Sequence, residues 1–407
     1  MNHPIRPIAE SEFPAALDLL DEAFVSSWAP GQIERFKGVT EFDRSLAAFD
    51  GDRMVGFTQV MSFDMTVPGG VLPVAGVSSV GVLASHRRRG VLSSLMRRQL
   101  ADVHAKGEVF AALYASEAAI YGRYGYGRAV DNVFYTIPKH SSAFRADAPA
   151  DPALRLRIEP PERAREDFVR LFDKVRPTRP GLYSRTAARW DATLADDENA
   201  RGSAGRLRCV LAEDDDGVRG YALFRVKRAV TDHDVPDGEV LLQELFAVDP
   251  AAYAALWRSL LDRDLCSRVF AANRPLDDPV MHLLAEPRHL NAGTLDELWI
   301  RLVDVPGALT QRAYSAPVEL VVEVDDDVCP WNAGRWRLST AKQTCERTED
   351  APDLSLPVRI LGAAYLGGRS LESYRLAGQI AEHREGAVRE LSAAMSWSPL
   401  PWGGLVF

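Results

Sequence analysis

Between an apolar run and a helix-forming run, the chain carries His86-Arg87-Arg88-Arg89-Gly90. Residues 77–83 (VSSVGVL) have the composition of a buried strand. After Gly90, the residues Leu92, Leu95, Met96, Leu100 and Val103 recur at the spacing of one apolar helix face. At the start of such a helix, backbone N–H groups lack intrahelical partners and the helix dipole adds partial positive charge. A glycine lets an anion approach closely, and three arginines surround it, so the turn is suited to a phosphate or pyrophosphate. The sequence there has neither the G-x-G-x-x-G of a dinucleotide site nor the Lys-Ser/Thr pair of a P-loop.

The elements that must hold this turn follow from the surrounding pattern. Residues 5–8 read as a first strand, and Ser11 offers a cap to a helix with Phe13, Ala16, Leu17, Leu20 and Phe24 on its face. Residues 25–40 form a polar and aromatic segment in which Trp28 and Phe36 either wall a substrate mouth or pack on that helix. Residues 46–49 and 54–63 form a hairpin around Asp50-Gly51-Asp52, and Pro68-Gly69-Gly70 turns into the next strand. Residues 108–115 (EVFAALYA) are continuously apolar, as in a strand buried on both faces. Ser116 caps a short helix over 117–121, and a strand over 133–137 closes the unit. The order is β-α-β-β-β-α-β-α-β.

Residues 140–153 lose periodicity and read as a linker. The segment beyond repeats the first: residues 210–224 echo residues 46–60 with Gly220 opposite Gly56, and 240–248 echo the strand ending at Val82. Where the first copy has RRRG, the second has Asp249-Pro250, an acidic residue without the glycine, so the second copy is expected to be structural. From residue 290 strands at 297–303, 318–324 and 334–338 and helices at 370–381 and 387–395 make an α+β unit. The expected units are 1–145, 146–289 and 290–407, of class α/β (α+β).

Composition bounds the rest. A net charge of −9 disfavours nucleic acid as a partner despite the RRR cluster. The first residues lack the apolar core of a signal peptide and nothing is long enough to span a bilayer, so a cytoplasmic protein without a membrane partner is expected. Four scattered cysteines (Cys209, Cys266, Cys329, Cys345) suggest neither a disulfide frame nor a zinc site, and the histidines lie in no metal-ligand spacing. The apolar end, Trp402 to Phe407, is expected to be tied down.

The basic turn is close to R-x-x-G-x-A, the pyrophosphate loop of the GNAT acyl-CoA N-acyltransferases, with Leu92 at the usual small residue. Alone it could also be a solvated basic cap. Val80-Gly81-Val82 before the turn, then Ala115-Ser116-Glu117 with Ile120-Tyr121-Gly122-Arg123-Tyr124-Gly125-Tyr126-Gly127, and a terminal phenylalanine, make the combination specific. Over its whole length the chain resembles the Eis-like (enhanced intracellular survival) N-acetyltransferases. The resemblance implies tandem GNAT domains, each a mixed twisted sheet flanked by helices, the second degenerate, plus a C-terminal domain like sterol carrier proteins. It implies transfer of acetyl from acetyl-CoA, without a metal, to amines such as aminoglycosides, polyamines or lysine side chains. It also implies a homo-oligomer, a hexamer.

By the same resemblance, Val80, Gly81 and Val82 bond the pantetheine arm, and Arg88, Arg89, Gly90, Val91, Leu92 and Ser93 hold the pyrophosphate with Arg87 beside it. Ser116 and Glu117 line the cofactor's other side, Tyr121 is the general acid, and the α-carboxylate of Phe407 is the general base. These roles make chemical sense. An ammonium must lose a proton before attacking a thioester, and a phenol (pKa about 10) can protonate a leaving thiolate (about 8.5) with a modest uphill transfer. Tyr124 and Tyr126 lie near enough to share the acid role, Glu117 could act as a base or merely complement the helix dipole, and Tyr114 reads as a packed strand residue. Val406 and Ser26 stand where aminoglycoside-acetylating members have acids, which weakens the grip on a polycation. The rival readings are a lipid-binding protein, with VELVVEV lining a cavity, and a regulatory protein-lysine acetyltransferase.

Overall fold

The computed structural model describes residues 3–407. Three sheets organise them. In the first, seven strands run in the order Ile5–Pro7, Ser45–Asp50, Arg53–Val67, Gly70–Val82, Phe110–Tyr114, Leu298–Leu302, Gly127–Arg128. The hairpin, the strand before the basic turn and the apolar strand after the helix stand where the pattern predicts them. The helix is Val91–Ala105, and it buries Val91, Leu95, Met96, Leu100 and Val103 against the sheet. Segment 25–40 holds a helix, Pro30–Val39, that the sequence reading does not anticipate.

The second sheet repeats the plan with Arg155–Glu159, Arg208–Asp214, Gly217–Lys227, Gly238–Ala247 and Cys266–Pro275, and its helix is Pro250–Leu261. Two glycines show how closely the copies correspond. A Cβ on Gly56 would lie 2.7 Å from Val91 and 3.0 Å from Leu95, and one on Gly220 would lie 2.9 Å from Leu256. In both copies the missing side chain lets the helix after the parallel strand settle on the same point of the sheet.

The strands do not stay within the expected units. Asp131–Pro138, expected to close the first sheet, pairs instead with Cys266–Pro275 and Gly293–Asp296 in the second. The first sheet is completed by Leu298–Leu302, expected in the third unit, which pairs with Phe110–Tyr114 and Gly127–Arg128. Burial explains the exchange. Leu298–Leu302 is covered on both faces, as a central strand must be, whereas Asp131–Pro138 alternates and sinks Val133, Tyr135 and Ile137 into the second core beside Val240 and Trp257.

The third sheet, Thr344–Arg347, Gly334–Ser339, Glu319–Asp325, Leu354–Pro357 and Ala381–Glu382, shares one core with the first through Ile300 and Leu302. Leu320, Val322 and Val324 of the VELVVEV run are packed in that core rather than lining a cavity. The helix expected over 370–381 ends at Leu376, past which Ala381 has joined a strand. Arg301 donates to both carboxylate oxygens of Asp326 at 2.7 Å, a fully buried pair that joins the exchanged strand to the third unit. Among the described residues no helix is long and apolar enough to cross a membrane, and no group of His, Cys, Asp and Glu could hold a metal ion. The four cysteines are free and buried.

Candidate active site

The site begins where two parallel strands part. Gly70–Val82 pairs with Phe110–Tyr114 only from Ala75 opposite Ala111 to Val77 opposite Leu113. Beyond that point a bulge, with Ser79 at φ +55°, shifts its register against Arg53–Val67. Val80, Gly81 and Val82 are thus left with no strand partner on the cleft side. Their edge forms one wall of a cavity of about 710 Å³, and Ser116, Glu117 and Tyr121 stand on another. The remainder is the basic turn and the first helical turn: Arg87, Arg88, Gly90, Val91, Leu92 and Ser93 all line it. The first backbone bond of Val91–Ala105 runs from Ser94 N–H to the Gly90 carbonyl at 2.9 Å, so the N–H groups of Val91, Leu92 and Ser93 carry no intrahelical partner. Gly90 adopts φ +81°, a conformation that L side chains rarely take, and no protein atom lies within 4 Å of where its Cβ would be. This open, amide-rich and cationic end fits a pyrophosphate.

Arg89 is the exception among the expected cofactor residues. It lies in a separate small recess with His3 and Ile5. Arg88 sits at φ +61°, which turns successive side chains of the loop to different sides. His86, buried, bridges Ser85 Oγ (2.9 Å) and Asp50 Oδ2 (3.1 Å), tying the turn to the Asp50 hairpin and lining the cavity as well. That bond holds the Asp50 carboxyl below its usual range.

A second cavity, of about 320 Å³, adjoins the first across Tyr121, Ser116 and Val80, which line both. Phe407 closes its far side. Ser78 Oγ donates to a terminal oxygen of Phe407 at 3.1 Å, and the phenylalanine ring packs against Phe63, Tyr114 and Tyr183 with centroids 5.0–5.3 Å away. Phe407 therefore lines the cavity that Tyr121 lines, with its ring packed among aromatics and its carboxylate held by Ser78. Burial pushes the Tyr121 phenol up, and the neighbouring Ser116 hydroxyl works against that shift. The phenol is not tuned down but kept protonated. Tyr124 touches the first cavity, its hydroxyl 3.1 Å from Ser93 Oγ. Tyr126 is fully buried beside Arg301, away from both cavities, and burial pushes it far up.

The chain end is held residue by residue. Leu400 N–H donates to Asp277, Trp402 N–H to the Pro180 carbonyl and Trp402 Nε1 to the Asn273 carbonyl. Gly403 N–H donates to Glu297 Oε2 at 3.3 Å. The hydroxyls of Tyr114 and Tyr183 donate to the Leu405 carbonyl, and Arg189 donates to that of Val406. Tyr114 is thus more than a packed strand residue. These anchors escape sequence reasoning because up to 291 positions separate the partners. Trp28 serves both roles left open for it: it lines the second cavity and stacks on Phe36, centroids 4.9 Å apart, which in turn packs on Phe13.

In the second copy the equivalent places are filled from within. Asp249 accepts from the N–H groups of Ala251 and Ala252, so the helix start already holds an anion, and Arg219 pairs with it. Where Gly238–Ala247 and Cys266–Pro275 part beyond Leu242, the buried Arg274 donates to Asp278 and to the Leu245 carbonyl and lies under the Trp402 ring. The copy keeps the architecture, but its helix start and the gap between its strands are occupied by the chain's own groups.

An acetyltransferase (GNAT) domain family matches residues 4–129, another acetyltransferase (GNAT) domain family residues 181–302, and a sterol carrier protein domain family residues 305–403. An uncharacterized N-acetyltransferase of Streptomyces avermitilis is 44% identical over 408 residues, 99% of each chain. N-acetyltransferase Eis of Mycobacterium tuberculosis is 32% identical over 403 residues, 95% of each chain. The crystal structure of Eis1 from Mycobacterium abscessus superposes with a TM-score of 0.85 at 31% identity, covering 99% of this chain and 100% of that one. With this likeness running end to end through two acetyltransferase units and a sterol-carrier unit, the chain belongs to the Eis-like GNAT N-acetyltransferases and is an acetyltransferase.

Proposed function

We propose that the protein transfers acetyl from acetyl-CoA to a primary amine directly, within a ternary complex, with Tyr121 as general acid and the α-carboxylate of Phe407 as general base. The observation that carries this reading is that Tyr121 and the terminal residue Phe407 line the same small cavity, which adjoins a cleft with a cationic, amide-rich end. Arg87, Arg88 and the N–H groups of residues 91–93 hold the diphosphate. The free edge of Val80, Gly81 and Val82 aligns the pantetheine arm as an added strand, and its N–H groups face the oxyanion that develops at the thioester carbonyl. Glu117 lines the cofactor's side and does not act as a base.

The Phe407 carboxylate accepts a proton from the ammonium, which leaves a lone pair on nitrogen for attack. As the N–C bond forms and the C–S bond breaks, Tyr121 gives its proton to the departing sulfur. A raised phenol pKa keeps that proton in place before the step at the cost of a less favourable transfer. A cytoplasmic homo-oligomer, a hexamer, belongs to this reading, and light scattering on the purified chain tests the assembly.

The test is release of thiol from acetyl-CoA across aminoglycosides, polyamines, small monoamines and lysine peptides, using protein whose last residue is Phe407. Amine-dependent release is expected. Failure to bind acetyl-CoA by calorimetry would reject the reading.

A further inference from the structure

Two buried glutamines stand between the helix that follows the basic turn and the strand edge of the cleft, and none of the roles assigned so far accounts for them. Gln59 lies on Arg53–Val67 and Gln99 on Val91–Ala105, both buried. Gln99 Nε2 donates to Thr58 Oγ1 at 2.9 Å and to the Gln59 carbonyl at 3.4 Å. Gln59 Nε2 donates in turn to Ser79 Oγ at 3.1 Å. The side-chain oxygens of both glutamines are buried without a protein partner, so each amide costs stability that an apolar side chain of similar size would not. Ser79 is the bulge residue with φ +55°. Phe57 faces Gly81 but Gln59 faces Ser78, so Ser79 and Val80 together oppose Thr58. A serine rarely takes that conformation unaided. Val80, Ser116 and Tyr121 line both cavities, which puts the residue after Ser79 where the cleft meets the smaller cavity, the place a thioester must occupy.

Resting on the acetyl-transfer reading, we propose that Gln59 is a positioning residue for the thioester: it fastens Ser79 in the left-handed bulge and thereby fixes the Val80 backbone against the oxyanion that develops at the junction of the two cavities. Gln59 lines neither cavity and acts through Ser79. Gln99 carries the link onward to the helix whose start holds the diphosphate, so one buried chain of side chains joins the cofactor's two ends. Oxyanion stabilisation depends on donors that are fixed before the reaction. A misplacement of about 1 Å can cost about a hundredfold in rate.

The test is Gln59→Met, which keeps the length of the side chain without its donor, made in the native chain and beside Ser79→Gly. Glycine holds φ +55° without help. The acceptor is the amine of the panel above that the native chain turns over fastest. Gln59→Met should lower kcat about tenfold or more in the native background and less than about threefold beside Ser79→Gly. The KM for acetyl-CoA and the calorimetric affinity for CoA, which has no thioester carbonyl, should stay within about threefold. Equal losses in the two backgrounds would show that Gln59 only fills space and would overturn the proposal, as would an unchanged kcat or a loss confined to CoA affinity. Ser79→Ala, at a half-buried position, removes the accepting oxygen and should reproduce the loss of kcat, so a misfolded Gln59→Met does not decide the matter. A Ser79→Ala chain with full kcat overturns the proposal too. A native chain that binds acetyl-CoA but turns over no amine of the panel would instead remove the acetyl-transfer reading, and this inference with it.

Discussion

Glu297 offers the sharpest test of how the chain end is held. It is 3% exposed, just ahead of the exchanged strand, and its backbone N–H donates to the Val130 carbonyl at 2.9 Å. One carboxyl oxygen accepts from Gly403 N–H, and the other is buried with no protein partner. Burial pushes the carboxyl from an ordinary 4.5 up to about 8, against the pull of the Gly403 and Gly404 amides. A carboxyl whose pKa is raised on folding stabilises fully below the unfolded value and loses that contribution as pH rises through the folded one. Across about 3.5 pH units, at about 1.36 kcal/mol each, the loss reaches ~5 kcal/mol, an upper bound because local opening of residues 400–407 relieves it. Glutamine imitates the neutral carboxyl and does not titrate. Glu297→Gln should therefore gain stability relative to the native chain as pH rises from 5 to 9. With an unfolding entropy of about 2.1 cal/mol/K per residue, ~5 kcal/mol corresponds to ~6 °C in Tm for this chain. Calorimetry of both proteins at half-unit pH steps reads the difference directly. Two Tm curves that stay parallel between pH 5 and 9 would refute a buried, titrating Glu297.

Four further outcomes follow from the same geometry. Tyr121→Phe should lower kcat about a hundredfold, the scale of general acid catalysis, with acetyl-CoA affinity within about twofold; unchanged turnover in a steady-state assay rejects Tyr121 as the acid. Residues added after Phe407 convert its carboxylate into an amide and should suppress turnover at unchanged acetyl-CoA affinity, so a fully active C-terminally tagged enzyme contradicts the base assignment. Arg88→Ala should weaken acetyl-CoA binding about tenfold at low salt and less at high salt, as screening predicts; calorimetry at two ionic strengths checks this, and equal affinities remove Arg88 from the diphosphate site. Asp326→Ala strands the fully buried Arg301 guanidinium and should cost about 3–5 kcal/mol; an unchanged Tm would show that the pair contributes nothing.

The strand, basic turn and helix around Gly90 were legible because their signals are local: an apolar run, a glycine and a helical period. The duplication was legible for a related reason, since Gly56 and Gly220 are each fixed by a helix packing on the same sheet position. The strand exchange was not. Residues 133–137 and 298–302 are both apolar enough for either sheet, and what separates them is whether one face or both is covered, which only the packed molecule decides. The orientation of Arg89 depends on the left-handed conformation of Arg88, which no pattern of side chains announces. The helix expected over 370–381 stops at Leu376 although apolar spacing continues past Gly378, because the chain turns left-handed there at φ +71°.

The terminal carboxylate is named only by the family resemblance, since no local residue pattern marks it as a base, and its usefulness as a base depends on a physical difficulty being overcome. A chain end is ordinarily the least ordered part of a domain, and fixing each residue costs about 1–2 kcal/mol. Here groups from both GNAT units take up that cost. Asn273 and Asp277 of the second sheet region hold Trp402 and Leu400, Tyr114 and Ser78 of the first hold Leu405 and Phe407, and Arg189 holds Val406. Each hydrogen bond contributes on the order of 1 kcal/mol, and burial of the Trp402 and Phe407 rings adds more. The second copy's cleft, filled by Arg274, is where Trp402 docks. The cation that fills the gap between the parted strands thus also carries the tryptophan five residues before the proposed base, while the helix start of the same copy is occupied separately by Asp249.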